Sequence, residues 1–160
     1  MFFGIGKKKE AVVSAPVSGK VIPISNVPDE TFRTCVLGPG IAIVPEGGHV
    51  KAPADGTLNQ MFDTGHAFSM TAASGAELLI HVGLDTVRLK GKHFSKIGKT
   101  GDSVKTGDLL IDFEENAVRG EGYNTTIIAV VLNQDHFKSI RFAKEGPIQA
   151  GYPLIWLELK

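Results

Sequence analysis

Nineteen glycines and eight prolines are spread along a chain of 160 residues instead of being clustered. Punctuation that frequent leaves little room for long helices and favours many short strands joined by tight turns, hence an all-β domain. Two turn patterns occur twice. Ala15-Pro16-x-x-Gly19 recurs as Ala52-Pro53-x-x-Gly56, and Val104-x-x-Gly107-x-x-Leu110-Ile111 has the spacing of Ile148-x-x-Gly151-x-x-Leu154-Ile155. Paired motifs of this kind suggest a duplicated β unit, too short and dissimilar for a solenoid.

The rest of the chain fills in around these turns. Residues 1–11 are expected to form a flexible N-terminal segment and residues 12–160 a single domain. Phe2, Phe3 and Ile5 precede a run of lysines, a pattern that fits a frayed terminus or a peripheral membrane-surface contact. Val27–Phe32 reads as a loop or one helical turn, because Pro28 disfavours a regular strand. The best helix candidate is Asp112–Tyr123, ended by Gly120 and Gly122, and a short helical turn is expected within Asp135–Ala143. Ile41–Val44, Thr125–Leu132 and Leu154–Leu159 read as strands.

Composition excludes several classes of function. Seventeen basic residues balance seventeen acidic ones, so there is no excess charge to neutralise nucleic-acid phosphates. No apolar run approaches a membrane span, and Met1–Gly6 is too short for a signal-peptide core. Cys35 is the single cysteine, which allows no internal disulfide and suits a reducing cytoplasm. It is expected to be a small buried hydrophobe.

The chemically suggestive stretch is Glu77–Gly91. An apolar run, Leu78-Leu79-Ile80, continues into His81 and Val82 before Gly83 breaks it. An ionisable ring within a strand is either a satisfied core histidine or a side chain that the strand holds in place. A second histidine, His66, lies on the preceding strand-like segment, where alternation puts it on one face with Phe68 and Met70. A turn near Ser74 then brings His66 and His81 level across a hairpin. Two facing histidines can pack, hold a metal, or act as nucleophile and helper. His81-x-x-x-Asp85 has a spacing found in one class of zinc peptidases, but the His-x-His partner motif is missing. A neutral imidazole is a good phosphoryl acceptor near pH 7. His66 would then donate a hydrogen bond to the phosphoryl group, with Thr64 fixing the His66 tautomer and a backbone carbonyl near Gly83 fixing that of His81. His49, His93 and His136 read as solvated.

These residues resemble a known family. Ile80-His81-Val82-Gly83-Leu84-Asp85-Thr86-Val87-x-Leu89-x-Gly91 closely resembles the active-site signature of glucose-family enzyme IIA of the bacterial phosphoenolpyruvate-dependent sugar phosphotransferase system. Thr64-x-His66-Ala67-Phe68-Ser69 resembles its second histidine motif. Val27-Pro28-Asp29-x-x-Phe32, Gly38-x-Gly40-Ile41-Ala42-Ile43 and the two Ala-Pro turns fit in order. The resemblance implies an antiparallel β-sandwich or barrel of the duplicated hybrid-motif type with a few short helical turns.

It also implies that His81 accepts a phosphoryl group from HPr and passes it to a cysteine of the permease IIB domain, supporting uptake of a glucose-type sugar. Asp29, Phe32, Phe62, Leu79, Asp85 and Val87 would form the partner face, and Gly83 would orient His81. No cofactor is required. Zinc at His66 and His81 would depend on a ligand from a partner, and some relatives also regulate permeases or kinases. The chain departs from the usual residues at Gly65, Leu79, Lys92-His93 and Asn124-Thr125-Thr126. The Ala-Pro-x-x-Gly and Val-x-x-Gly-x-x-Leu motifs also suit lipoyl or biotinyl carrier domains, although no lysine has the setting that such domains need.

Overall fold

The computed structural model describes residues 9–160. The expected membrane contact of Phe2, Phe3 and Ile5 lies outside the described residues. Among the described residues there are fourteen strands: β1 Glu10–Ser14, β2 Gly19–Pro23, β3 Gly40–Pro45, β4 His49–Lys51, β5 Gly56–Met61, β6 Ala67–Ala72, β7 Glu77–Val82, β8 Phe94–Lys96, β9 Ser103–Val104, β10 Leu109–Phe113, β11 Ile127–Val131, β12 Phe137–Phe142, β13 Gly146–Ile148 and β14 Pro153–Leu159. Two short helices interrupt them, α1 Glu30–Arg33 and α2 Glu115–Gly120. The all-β reading therefore holds. β1 starts at Glu10, where Glu10 and Ala11 pair with Glu158 and Leu157, two residues before the domain start expected from the sequence.

Eight strands make one sheet in the order β13-β2-β3-β11-β7-β6-β5-β9, and two three-stranded sheets, β1-β14-β12 and β4-β10-β8, complete the fold. Every pairing is antiparallel. The main core includes Phe68, Met70, Leu78 and Ile80 on one face of the large sheet. A smaller cluster, Val27, Phe32, Ala42, Leu84, Ile128 and Val130, covers part of the other face, with Leu79 packed against it.

The duplication is visible in the backbone hydrogen bonds. Ala15 donates to Tyr152 O and accepts from Gly151 N, while Ala52 donates to Asp108 O and accepts from Gly107 N. Each Ala-Pro turn thus grips one copy of the Val-x-x-Gly motif. In the same way Gly19 pairs with Ile148 and Gly56 with Val104. A side chain at either glycine is excluded, because a Cβ would lie 2.1 Å from Val44 O or from Thr71 O respectively. Sequence spacing and tertiary pairing therefore report the same repeat.

Two helix expectations need correction. Asp112 and Phe113 belong to β10, where they pair with Ser95 and Phe94 of β8, so the helix is confined to Glu115–Gly120. Within Asp135–Ala143, only a 3-10 turn at Gln134–His136 is helical, and Phe137–Phe142 is a strand paired with β14. A register shift between Phe137 and Ser139 breaks the alternation that would have marked this strand. Cys35 is exposed with φ 58°, not buried.

Candidate functional site

His81 sits near the end of β7, and its ring faces the smaller apolar cluster. Leu79, two residues earlier, points to the same face by strand alternation and is packed there. His66 lies one residue outside β6. The register pairs His81 with Ala67, not with His66, while Val82 N donates to His66 O at 2.7 Å. If His66 continued the strand it would share a face with Phe68, as the alternation suggests. The chain instead turns at Gly65, with φ 71°, and the His66 ring comes to lie beside His81. The two ring centroids are 5.0 Å apart and nearly perpendicular, at 80°.

Each ring has one nitrogen engaged. His81 Nδ1 lies 2.8 Å from Gly83 O. A carbonyl only accepts, so a neutral His81 carries its proton on Nδ1 and leaves a lone pair on Nε2. His66 Nδ1 is in hydrogen-bond contact with Thr64 Oγ1. When the Thr64 hydroxyl donates, the His66 proton is on Nε2, ready to be given to an anionic group.

Both rings are held neutral at pH 7. Burial pushes the His66 pKa down from 6.5 to about 4, helped by repulsion from His81. Burial also lowers the His81 pKa, opposed by the Gly83 carbonyl and by the carboxylates of Asp29 and Asp85. His66 is only 5% exposed, whereas His81 is half-buried. The more accessible ring is therefore the one with the free lone pair.

The surrounding residues fall into three groups. Phe32 packs on His81 at 5.0 Å, and Phe62 meets His66 edge-on at 5.5 Å. α1 delivers Phe32, and Asp29 caps that helix by accepting from Phe32 N at 3.3 Å, as short polar side chains do at helix starts. Asp85 and Val87 are exposed on the turn that follows β7. Gly83 has φ 80°, and a Cβ there would lie 2.4 Å from Thr86 Cγ2.

The sequence reading missed several features outside the histidine pair. Val36 and Leu37 are 71% and 42% exposed just beyond α1, and their apolar pair ahead of Gly38-Pro39-Gly40 was the available signal. Thr86 is fully buried and its hydroxyl donates to Val82 O at 2.5 Å. His93 is not a solvated loop residue. Its side chain is 17% exposed and is held between Glu121 and Glu114.

Among the described residues, no three or more His, Cys, Asp or Glu side chains gather as a metal site. His66 and His81 offer two imidazoles, one short of the three protein ligands usual for catalytic zinc. Among the described residues, no helix is long and apolar enough to cross a membrane.

Comparison with known proteins agrees with this architecture. Residues 11–137 match the family described as phosphoenolpyruvate-dependent sugar phosphotransferase system, EIIA 1. The chain is 37% identical over 149 residues to the glucose-specific EIIA component of Haemophilus influenzae, covering 93% of this chain and 89% of that protein. It is 39% identical over 152 residues to the beta-glucoside-specific EIIBCA component of Dickeya chrysanthemi, covering 95% of this chain but 24% of that protein. The chain thus spans about a quarter of the length of such EIIBCA relatives. The solved structure of glucose permease IIA from Mycoplasma capricolum superposes with a TM-score of 0.84 at 32% identity, covering 98% of this chain and 99% of that one. The lipoyl or biotinyl carrier and zinc peptidase readings are not favoured by these matches. The chain belongs to the EIIA 1 family of the phosphoenolpyruvate-dependent sugar phosphotransferase system, and it is a phosphocarrier of that system.

Proposed function

We propose that His81 Nε2 is the atom that carries the phosphoryl group. One observation supports this most: the Gly83 carbonyl occupies Nδ1, which leaves Nε2 of a neutral, half-buried ring as the nucleophile. In the forward step the Nε2 lone pair attacks the phosphorus of a phosphohistidine on HPr. The donor's N–P bond breaks as the new one forms, and the donor imidazole leaves with the electron pair and takes up a proton. A transition state of this kind needs alignment and hydrogen-bond donors more than covalent help. His66 supplies a donor at Nε2, and Thr64 holds that tautomer.

The group then passes to a cysteine thiolate of a permease IIB domain. The fusion of IIB, IIC and IIA units in the EIIBCA relatives supports that pairing. Phe32, Phe62, Leu79 and Val87 form the apolar part of the docking face, with Asp29 and Asp85 at its edge. On this reading the chain works in the cytoplasm, peripheral to the membrane where it meets the permease. His66 and His81 would hold zinc only with a further ligand from a partner. The unphosphorylated face is also free to bind permeases or kinases subject to regulation.

The test is incubation with phosphoenolpyruvate, enzyme I and HPr. An acid-labile, alkali-stable phosphoprotein is expected, and His81→Ala should lose the label. Full labelling of His81→Ala would overturn the assignment.

A further inference from the structure

We infer that Asn124, which touches neither histidine, is a positioning residue that sets the His81 tautomer. The inference rests on the proposed role of His81 and extends it to a loop on a different strand. Four hydrogen bonds link the two residues. Asn124 Oδ1 accepts from Thr126 N at 2.9 Å, which closes the loop ahead of β11 on itself as an Asx turn. That loop then presents two carbonyls to the segment beyond β7. Thr126 O accepts from Gly83 N at 2.9 Å, and Asn124 O accepts from Leu84 N at 2.9 Å. The Gly83–Leu84 peptide is thereby held at both ends, and its carbonyl is the group that accepts from His81 Nδ1 at 2.8 Å.

The clamp has no slack. Gly83 has φ 80°, with Asn124 O 3.0 Å and Thr86 Cγ2 2.4 Å from where a Cβ would stand. Glycine is the residue that takes this conformation without steric cost. It is also the residue least able to hold it unaided, since glycine has the most backbone freedom to lose. The restraint must come from outside, and the loop at Asn124 supplies it. Thr125 and Thr126 are each 4% exposed, so water does not readily replace a lost loop contact. Without the Asx turn, the Gly83 carbonyl gains freedom to rotate away, and His81 Nδ1 loses the acceptor that keeps its proton there.

The consequence is chemical rather than only structural. A His81 ring with its proton on Nε2 has no lone pair where the donor approaches. Loss of the clamp therefore lowers the fraction of competent protein and leaves the ring in place.

The direct test is 15N NMR of the His81 ring in unphosphorylated protein, at a pH where the ring is neutral. In the unaltered chain the Nδ1–H form should dominate. Asn124→Ala should change the ratio of the two tautomers by about three- to tenfold, the scale of one neutral hydrogen bond, and slow phosphorylation in proportion. Asn124→Asp retains the accepting oxygen and should restore the ratio. Asn133→Ala is the structural control. Asn133 binds Glu77 N and Gly75 O at the opposite end of β7, so its loss should lower stability without moving the tautomer. An unchanged ratio in Asn124→Ala, or an equal shift in Asn133→Ala, overturns the inference. If Asn124→Ala does not fold, hydrogen exchange in the unaltered protein still decides. The Thr126 and Gly83 amides should be protected together, and free exchange at Thr126 refutes the clamp. A protein with the expected tautomer that takes no phosphoryl group would contradict the role of His81 and leave the clamp standing.

Discussion

The rings of His66 and His81 meet edge to face, 5.0 Å between centroids, although the two residues are not partners in the sheet register. Their meeting depends on where β6 begins. His66 lies just outside the strand, so alternation does not bind it, and the turn at Gly65 aims its ring at the neighbour. The arrangement pairs a buried imidazole with a half-buried one.

Stability should fall on acidification over a defined range. A buried His66 with a pKa near 4 in the folded chain and 6.5 when unfolded binds fewer protons folded than unfolded between those values. Unfolding free energy therefore rises with pH across that window, and the stabilisation is complete above pH 6.5 and lost as pH falls toward 4. The contribution is at most about 3 kcal/mol. Urea unfolding followed at pH 7 and pH 4.5 measures it, and His66→Gln should flatten the difference.

Thr64→Val removes the hydroxyl that holds His66 Nδ1 and keeps the side-chain volume. A hydrogen bond of this kind contributes about 1 kcal/mol, so the rate of onward transfer to the IIB domain should fall about fivefold. Labelling from HPr should still reach completion. Single-turnover transfer assays separate the two steps.

His66→Ala removes the donor aimed at the phosphoryl group. His81 should still become labelled at long times. Loss of one oriented donor in a partly desolvated site should slow transfer on the order of a hundredfold. Rapid-quench measurement with labelled HPr reads this directly.

Gly83→Ala forces a side chain into a left-handed backbone conformation and against Thr86 Cγ2. Left-handed strain and overpacking together should cost about 2–4 kcal/mol. The urea midpoint should drop accordingly, and the His81 tautomer should lose definition in the same variant.

Much of this was legible in the chain itself. The duplicated unit appeared as repeated Ala-Pro-x-x-Gly and Val-x-x-Gly motifs because close backbone approach requires Gly19 and Gly56, and a left-handed backbone favours glycine at Gly107 and Gly151. The histidine pair could be found because a turn near Ser74 fixes the hairpin. The face of His66 was not legible, since alternation applies only within a strand and the strand begins only at Ala67. β12 was hidden by its bulge, which interrupts the period-two pattern. Asn124 was visible only as a departure from the family's usual residues. Its reach to His81 runs through backbone carbonyls, which leave no trace in side-chain identity.

The most direct measurement is the position of the phosphoryl group itself. NMR of the 15N-histidine-labelled phosphoprotein, with 31P detection, identifies the nitrogen bonded to phosphorus. A single N–P bond at His81 Nε2 is the predicted result. A phosphoryl group on His66, on another histidine, or on His81 Nδ1 would contradict the account.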